Sequence, residues 1–213
     1  MSNVVAIFGA GGFAREVASI VKKQSKFNRD LQEIIFVDKD FVGELNGVRV
    51  VREDHFLSSV CAFKYIVAIA DPKLRKCVFD RIDLSRGQPL DIISQRAEIL
   101  EKVDYKSGLI ACGNVTVGVN TSLGRGCHIN VNTYVGHDCK IGDFVTFGPS
   151  SVCAGNVYIE DGVYIGAGAL IRQGKPTEPI VIGKGSIIGM GSVVTCSVDS
   201  NDTVLGNPAR SSN

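Results

Sequence analysis

The chain predicts two units in series: a small α/β domain with a Rossmann-like opening over residues 1–93, then a parallel β-helix of hexapeptide repeats over residues 94–213. Three observations carry this. An apolar residue falls at every sixth position from Val117 to Ile171, and the series resumes from Ile182 to Val194. A strand, a Gly-rich turn and a helix pattern open the chain at Val4 to Gln24. Strand and helix patterns then alternate up to Ile93.

Val4 to Phe8 is a short apolar strand, followed by Gly9-Ala10-Gly11-Gly12-Phe13-Ala14. Val17, Ile20 and Val21 give helical spacing from Ala14 to Gln24. A G-x-G-x-x-A turn at a helix start lets backbone approach a phosphate. Such turns also occur in α/β domains that bind no ligand, so this one does not fix a nucleotide site by itself. A second strand, Glu33 to Val37, ends in Asp38, a position where an acidic residue meets a ribose or base. A third, Tyr65 to Ala70, runs into Asp71-Pro72, an N-cap and N1 pair, and a helix over Lys73 to Ile82. A fourth, Leu90 to Ile93, leads out of the domain. The alternation predicts a parallel sheet.

From Val117 the repeat heads are Val117, Leu123, Ile129, Val135, Ile141, Phe147, Cys153, Ile159, Ile165 and Ile171, then Ile182, Ile188 and Val194. Neither a helical period nor a two-residue alternation produces such a series; a hexapeptide period is the signature of a parallel β-helix. Three units make one triangular coil, the head of each pointing inward. A second inward position four residues later must be small, and Thr121, Cys127, Thr133, Cys139, Val145, Ser151, Val157, Val163 and Ala169 comply. One coil cannot bury its own face, but stacked coils share a core. About five coils are expected, stacked at roughly 4.8 Å. Residues 94–116, with Ile99 and Tyr105, read as irregular first turns. Arg172 to Pro179 breaks the period with two prolines and marks a loop thrown out of the coil.

The 213 residues carry a formal charge of +1, which gives no electrostatic case for nucleic acid or an anionic membrane surface. No apolar run reaches the roughly 18 residues of a membrane span, and Met1-Ser2-Asn3-Val4 lacks the basic flank and apolar core of a signal peptide. The expectation is a cytoplasmic protein. Seven cysteines without a CxxC pair argue against a disulfide framework or zinc site, and Cys127, Cys139 and Cys153 serve as small inward fillers. Cys61 completes the set with Cys77, Cys112 and Cys196.

Three histidines remain. His55, in Arg52-Glu53-Asp54-His55, reads as a solvated helix start, and His128 closes its hexad near a turn. His137 follows inward Val135 and small Gly136, and is expected to project from a flat strand face. Histidine suits general-base work near neutral pH, and adjacent Asp138 would orient it and raise its basicity. An exposed strand histidine without a role is the bland alternative. Two histidines in the coil fall short of a zinc set, so no metal is expected. No GxSxG elbow, Ser-His-Asp spacing or cysteine in a basic setting is present. That favours direct attack of a substrate amine or hydroxyl on an acyl donor, through positioning plus a base.

These residues resemble the bacterial sugar-nucleotide acetyltransferases with a left-handed parallel β-helix, including the N-acetyltransferases of 4-amino sugar nucleotides and a sialic acid O-acetyltransferase branch. The likeness spans nearly the whole chain. It is carried by Gly9-Ala10-Gly11-Gly12 with Asp38, by His137-Asp138-Cys139-Lys140-Ile141-Gly142-Asp143-Phe144, by Cys153-Ala154-Gly155-Asn156-Val157 and by Gly206-Asn207-Pro208-Ala209. Left-handedness comes from the family, not from the spacing. The resemblance implies His137 as general base and Asp138 as the carboxylate that tunes it. It implies nucleotide-sugar contacts at Gly11, Gly12, Phe13, Asp38, Lys39 and Ala70, with Asn130 near the reacting group. It places acetyl-CoA in a groove between coils of two subunits of a homotrimer, against Thr146, Gly155, Ala167 and Met190. Phe13 and Thr146 stand where some members carry histidine, so those contacts differ here.

The resulting expectation is acetyl-CoA-dependent N-acetylation of a nucleotide-linked 4-amino-4,6-dideoxy sugar, a backbone N–H stabilising the tetrahedral oxyanion. O-acetylation of a sugar hydroxyl by the same machinery is the nearest alternative. A nicotinamide-dependent oxidoreductase fails because the first domain is half a dinucleotide fold and the hexads stay unexplained. A non-catalytic trimeric scaffold leaves the clustering of His137, Asp138 and Gly155 without a purpose. The residues leave open whether the nucleotide is UDP, dTDP or GDP.

Overall fold

The computed structural model describes residues 4–25, 33–60, 62–83 and 87–212, so the Met1–Asn3 start and Cys61 lie outside the described residues. The chain divides into two compact units, Met1–Ile92 and Ile93–Asn213.

The first unit runs β1 (Val4–Phe8), α1 (Gly12–Ser25), β2 (Glu33–Asp38), β3 (Gly43–Leu45), β4 (Val48–Arg52), α2 (Glu53–Ser59), β5 (Phe63–Val67), α3 (Pro72–Asp83) and β6 (Gly87–Pro89). The sheet order is β3-β4-β2-β1-β5-β6, parallel except for the β3–β4 hairpin. From β1 the chain steps first to β2 on one side and later to β5 on the other. Their carboxyl ends therefore frame a crevice at a topological switch point. Helix α1 packs through Ala14, Val17, Ala18 and Val21, all buried at helical spacing. Asp71 Oδ1 accepts the Leu74 N–H at 2.8 Å and caps α3, as Asp71-Pro72 predicts.

Three details differ from expectation. A β3–β4 hairpin turns at Asn46-Gly47, whose positive φ values of 52° and 69° suit a two-residue turn. The third strand is Phe63–Val67 rather than Tyr65 to Ala70, because Ala68 to Asp71 form the loop into α3. The sheet ends on Gly87–Pro89, not on Leu90 to Ile93. Proline is tolerated there because β6 is an edge strand, and Ile92–Ile93 instead joins a sheet of the coil.

The second unit is a coil with three faces, which contain eight, six and five strands among the described residues, parallel except where Arg210–Ser211 pairs antiparallel with Thr203–Leu205. We refer to them by an inward residue: the Ile129, Val135 and Ile141 faces. Every predicted repeat head is buried, as is every predicted small inward residue. Each strand is only two or three residues long; the rest of the hexad makes the corner. The second corner residue is left-handed, with φ near 58° at Asn114, Asn120, Asn132, Asp138 and Asn156. Asn, Asp and Gly adopt that conformation at least cost, which explains their recurrence between the apolar heads. The first turns are regular rather than irregular: Ile99 pairs in register with Val117, and Tyr105 with Leu123. Exposed Tyr105 and small Ala111 disguise a coil that the period already contains. The 172–179 loop does leave the coil, since Ile141 pairs with Ile159 but Ile159 with Ile182. It folds back through reciprocal backbone bonds between Lys175 and Glu178, at 2.9 and 3.0 Å.

Candidate active site

His137 does not project from a flat strand face. It is the first residue of the corner that follows Tyr134–Val135, because the two-residue strand is already complete. The corner turns its side chain outward, 43% exposed. Asp138 is the left-handed residue beside it, φ 57°. This backbone brings the carboxylate under the ring, with His137 Nδ1 and Asp138 Oδ2 2.7 Å apart. The second oxygen, Oδ1, accepts from Asn120 Nδ2 at 3.1 Å, one coil below. The bond to His137 first, and that to Asn120 second, hold the Asp138 carboxyl below its ordinary value of 3.8. With Nδ1–H given to this carboxylate, Nε2 carries the lone pair and is the atom free to take a proton.

Gly155 sits one coil above. A Cβ built there would lie 2.5 Å from both Cε1 and Nε2 of His137, so glycine leaves the room that the imidazole occupies. The corner is tied together by Asn156 N–H donating to His137 O at 3.0 Å, and by Gly174 N–H donating to Gly155 O at 3.0 Å. The 172–179 loop therefore springs from the same column as His137. Sequence reasoning missed Asn120, although an asparagine one full coil before Asp138 was its signal.

Cys139, next in sequence, turns inward and gives its thiol to Ala154 O at 3.3 Å. The Cys153 thiol is pushed up, first by its hydrogen bond with Cys139 and then by burial. Neither is an exposed thiolate. His128 lies fully buried in its strand, away from the corner, and His55 is exposed in the first turn of α2.

The remaining candidates are spread out. Asn130 is on the corner at the other end of Tyr134–Val135 and donates to Phe147 O at 3.0 Å, stitching coil to coil. Thr146 is buried in a strand of the Ile129 face. Ala167 and Met190 share a corner column: Gly191 N–H donates to Ala167 O at 2.9 Å, and Met190 is 80% exposed.

In the first unit, Gly9 takes φ 104° as the chain leaves β1, and no side chain is accommodated there without strain. Gly11 and Gly12 are exposed, and around a Cβ at Gly11 there is open space. Half-buried Phe13 follows in the first turn of α1. Asp38 Oδ1 accepts the N–H groups of Asp40 and Phe41 at 3.1 and 3.2 Å, so it also shapes its own loop. Ala70 is exposed, its carbonyl held by buried Arg75 at 3.0 Å. Gly9, Asp38 and Lys39 line a cavity of about 390 Å³, together with Glu53 and the α3 side chains Leu74, Cys77, Val78 and Arg81. That volume suits a small ligand. Sequence reasoning missed Glu53 and Arg81, because only the packing of α2 beside α3 brings them together.

Residues 4–82 match the PglD N-terminal domain, and residues 120–155 match the bacterial transferase hexapeptide (six repeats). The chain is 44% identical over 211 residues to GDP-perosamine N-acetyltransferase of Escherichia coli O157:H7, covering 98% of this chain and 96% of that one. Among solved structures it is similar to WeeI from Acinetobacter baumannii AYE, with a TM-score of 0.93 and 39% identity over 98% of this chain and 99% of that one. PerB from Caulobacter crescentus, solved in complex with CoA and GDP-perosamine, superposes with a TM-score of 0.87 at 25% identity, covering 98% and 97%. An α/β domain of PglD type, a hexapeptide coil and full-length likeness converge on one conclusion: the chain belongs to the hexapeptide-repeat sugar-nucleotide acetyltransferases.

Proposed function

We propose that this protein transfers acetyl from acetyl-CoA to the 4-amino group of a nucleotide-linked 4-amino-4,6-dideoxy sugar, with GDP-perosamine the first candidate. The observation that carries the chemistry is the 2.7 Å bond between His137 Nδ1 and Asp138 Oδ2 on an exposed corner. It holds the ring with Nε2 available, while full-length likeness to GDP-perosamine N-acetyltransferase supports the substrate. In this proposal His137 removes a proton from the amine as it attacks the thioester carbonyl, and the thiol of CoA leaves. Asp138 fixes the tautomer and stabilises the imidazolium that results. The first unit holds the nucleotide through Gly11, Gly12, Phe13, Asp38, Lys39 and Ala70, and Asn130 lies near the sugar. Gly155, Ala167, Met190 and Thr146 are the proposed acetyl-CoA contacts.

A homotrimer with active sites between subunits is part of the same proposal. Its support is the outer side of the Val135 face, where Tyr134 and Leu170 are exposed and Val152 and Val193 half-buried. A contiguous apolar column of this kind favours self-association. A cytoplasmic location fits a consumer of acetyl-CoA and sugar nucleotides, and no helix among the described residues is long and apolar enough to cross a membrane. A role in cell-surface polysaccharide synthesis, such as O-antigen, follows from the proposed product.

The test is release of free CoA with acetyl-CoA and a panel of 4-amino-4,6-dideoxy sugar nucleotides, with His137→Ala in parallel. Turnover of one sugar nucleotide, with kcat reduced by about 10²-fold or more in the variant, is expected. Turnover unchanged in the variant discards His137 as base. Turnover of a sugar hydroxyl but no amine replaces N- by O-acetylation.

A further inference from the structure

Acetyl transfer makes no use of one feature of the first unit, the ion pair between Glu53 and Arg81. Glu53 opens α2, and Arg81 lies in the last turn of α3. Arg81 Nε donates to Glu53 Oε1 at 2.7 Å, and the Glu53 side chain is only 12% exposed. Part of the Arg81 side chain reaches solvent, yet its Nη2 is buried and has no hydrogen-bond partner. Both residues line the cavity that also reaches Gly9 and Asp38. Leaving a buried donor unpaired is unfavourable, so an acceptor brought into the cavity beside Arg81 would be favoured there.

The chemistry of that acceptor is constrained. A phosphate does not suit it, because the Glu53 carboxylate already neutralises the guanidinium and would repel a second anion. The complement is a neutral group that gives an acceptor to Nη2 and, beside it, donors to the carboxylate. A carboxylate offers about four lone-pair positions, and Arg81 Nε uses one. Guanine has this edge: N1–H and the 2-amino group face a carboxylate, and O6 next to them faces a guanidinium. Uracil and thymine present a single N3–H between two carbonyl oxygens, and one of those oxygens would meet a carboxylate oxygen. Leu74 and Val78, one helical turn apart on the same side of α3, line the cavity with the apolar surface a base requires.

We propose that Glu53 and Arg81 read the base of the sugar nucleotide and select guanine over pyrimidines. This rests on the sugar-nucleotide substrate proposed above and names the residues that read its base.

Calorimetric titration with GDP, IDP and UDP tests it in the full chain and in Glu53→Gln. IDP is GDP without the 2-amino group. The wild-type protein is expected to bind GDP about tenfold or more tighter than UDP and several-fold tighter than IDP, as loss of a charged hydrogen-bond partner demands. In Glu53→Gln the GDP–IDP difference should vanish while UDP binding changes little. Equal binding of GDP and IDP by the wild-type protein overturns the proposal without any variant. Retention of the GDP preference by Glu53→Gln does so as well. Turnover of UDP- and GDP-linked amino sugars alike would leave the acetyltransferase intact and remove the base selection. Binding of no nucleoside diphosphate would remove both.

Discussion

The imidazole of His137 lies in the space that a side chain on Gly155 would need, with Cε1 and Nε2 each 2.5 Å from a Cβ built on that glycine. Two residues one coil apart are thereby matched, one by what it carries and the other by what it lacks. Gly155→Ala pushes away the free end of a half-exposed ring rather than backbone, so the fold survives. Misplacing a catalytic group by about 1 Å costs on the order of 10²-fold. Steady-state kinetics should show kcat falling by at least about tenfold, with a melting temperature close to wild type.

Asp138 combines a carboxylate bonded to His137 with a left-handed backbone, and substitution separates the two. Asp138→Asn keeps a residue suited to φ 57° but removes the charge, so kcat should drop by about tenfold or more with a small loss of stability near neutral pH. Asp138→Ala adds the left-handed backbone cost of about 1–2 kcal/mol and should also lower the melting temperature.

The same carboxyl sets an acid dependence. Its folded-state pKa lies below the ordinary 3.8, so the unfolded chain binds the proton first. Its contribution is present above that value and is lost as pH falls through the depressed one. The gap in melting temperature between wild type and Asp138→Asn should therefore hold from pH 6 to about 4 and narrow as pH falls further. A gap between them that widens on acidification would contradict the assignment.

Cys77 is exposed and lines the cavity of the first unit. A maleimide should label it in the apo protein, and GDP should slow that labelling by about tenfold at saturation, since only the open fraction reacts. Peptide mapping distinguishes it from Cys196, the other exposed thiol among the described residues. Equal labelling rates with and without nucleotide would place the nucleotide elsewhere.

Phe147 is a fully buried repeat head. Phe147→Ala should destabilise by about 3–5 kcal/mol, because the stacked coils around it cannot collapse into the gap. Chemical denaturation followed by circular dichroism measures this.

The coil is legible from sequence because its rule is local: six residues, one large inward side chain, one small one, and a corner that accepts Asn, Asp or Gly. The heads from Val117 to Ile171 obey that rule, and His137 stands out as a residue the rule does not require. The rule blurs where a head is atypical, as at Tyr105 and Ala111, and there a regular coil passes for an irregular linker. In the first unit, Gly9 to Ala14, Asp38 and Asp71-Pro72 announce strand, turn and helix start through backbone chemistry alone.

Tertiary structure decided what no local rule encodes. Asn120 meets Asp138, and Gly155 meets the His137 ring, only because stacked coils bring residues a full turn apart into contact. Asn130, adjacent to His137 in the hexad count, is carried to another corner by the same triangular path. Glu53 meets Arg81 only because α2 and α3 cover one face of the sheet. Periodicity fixes which way a side chain points; distance between side chains far apart in sequence is set by packing, and the site's chemistry depends on that distance.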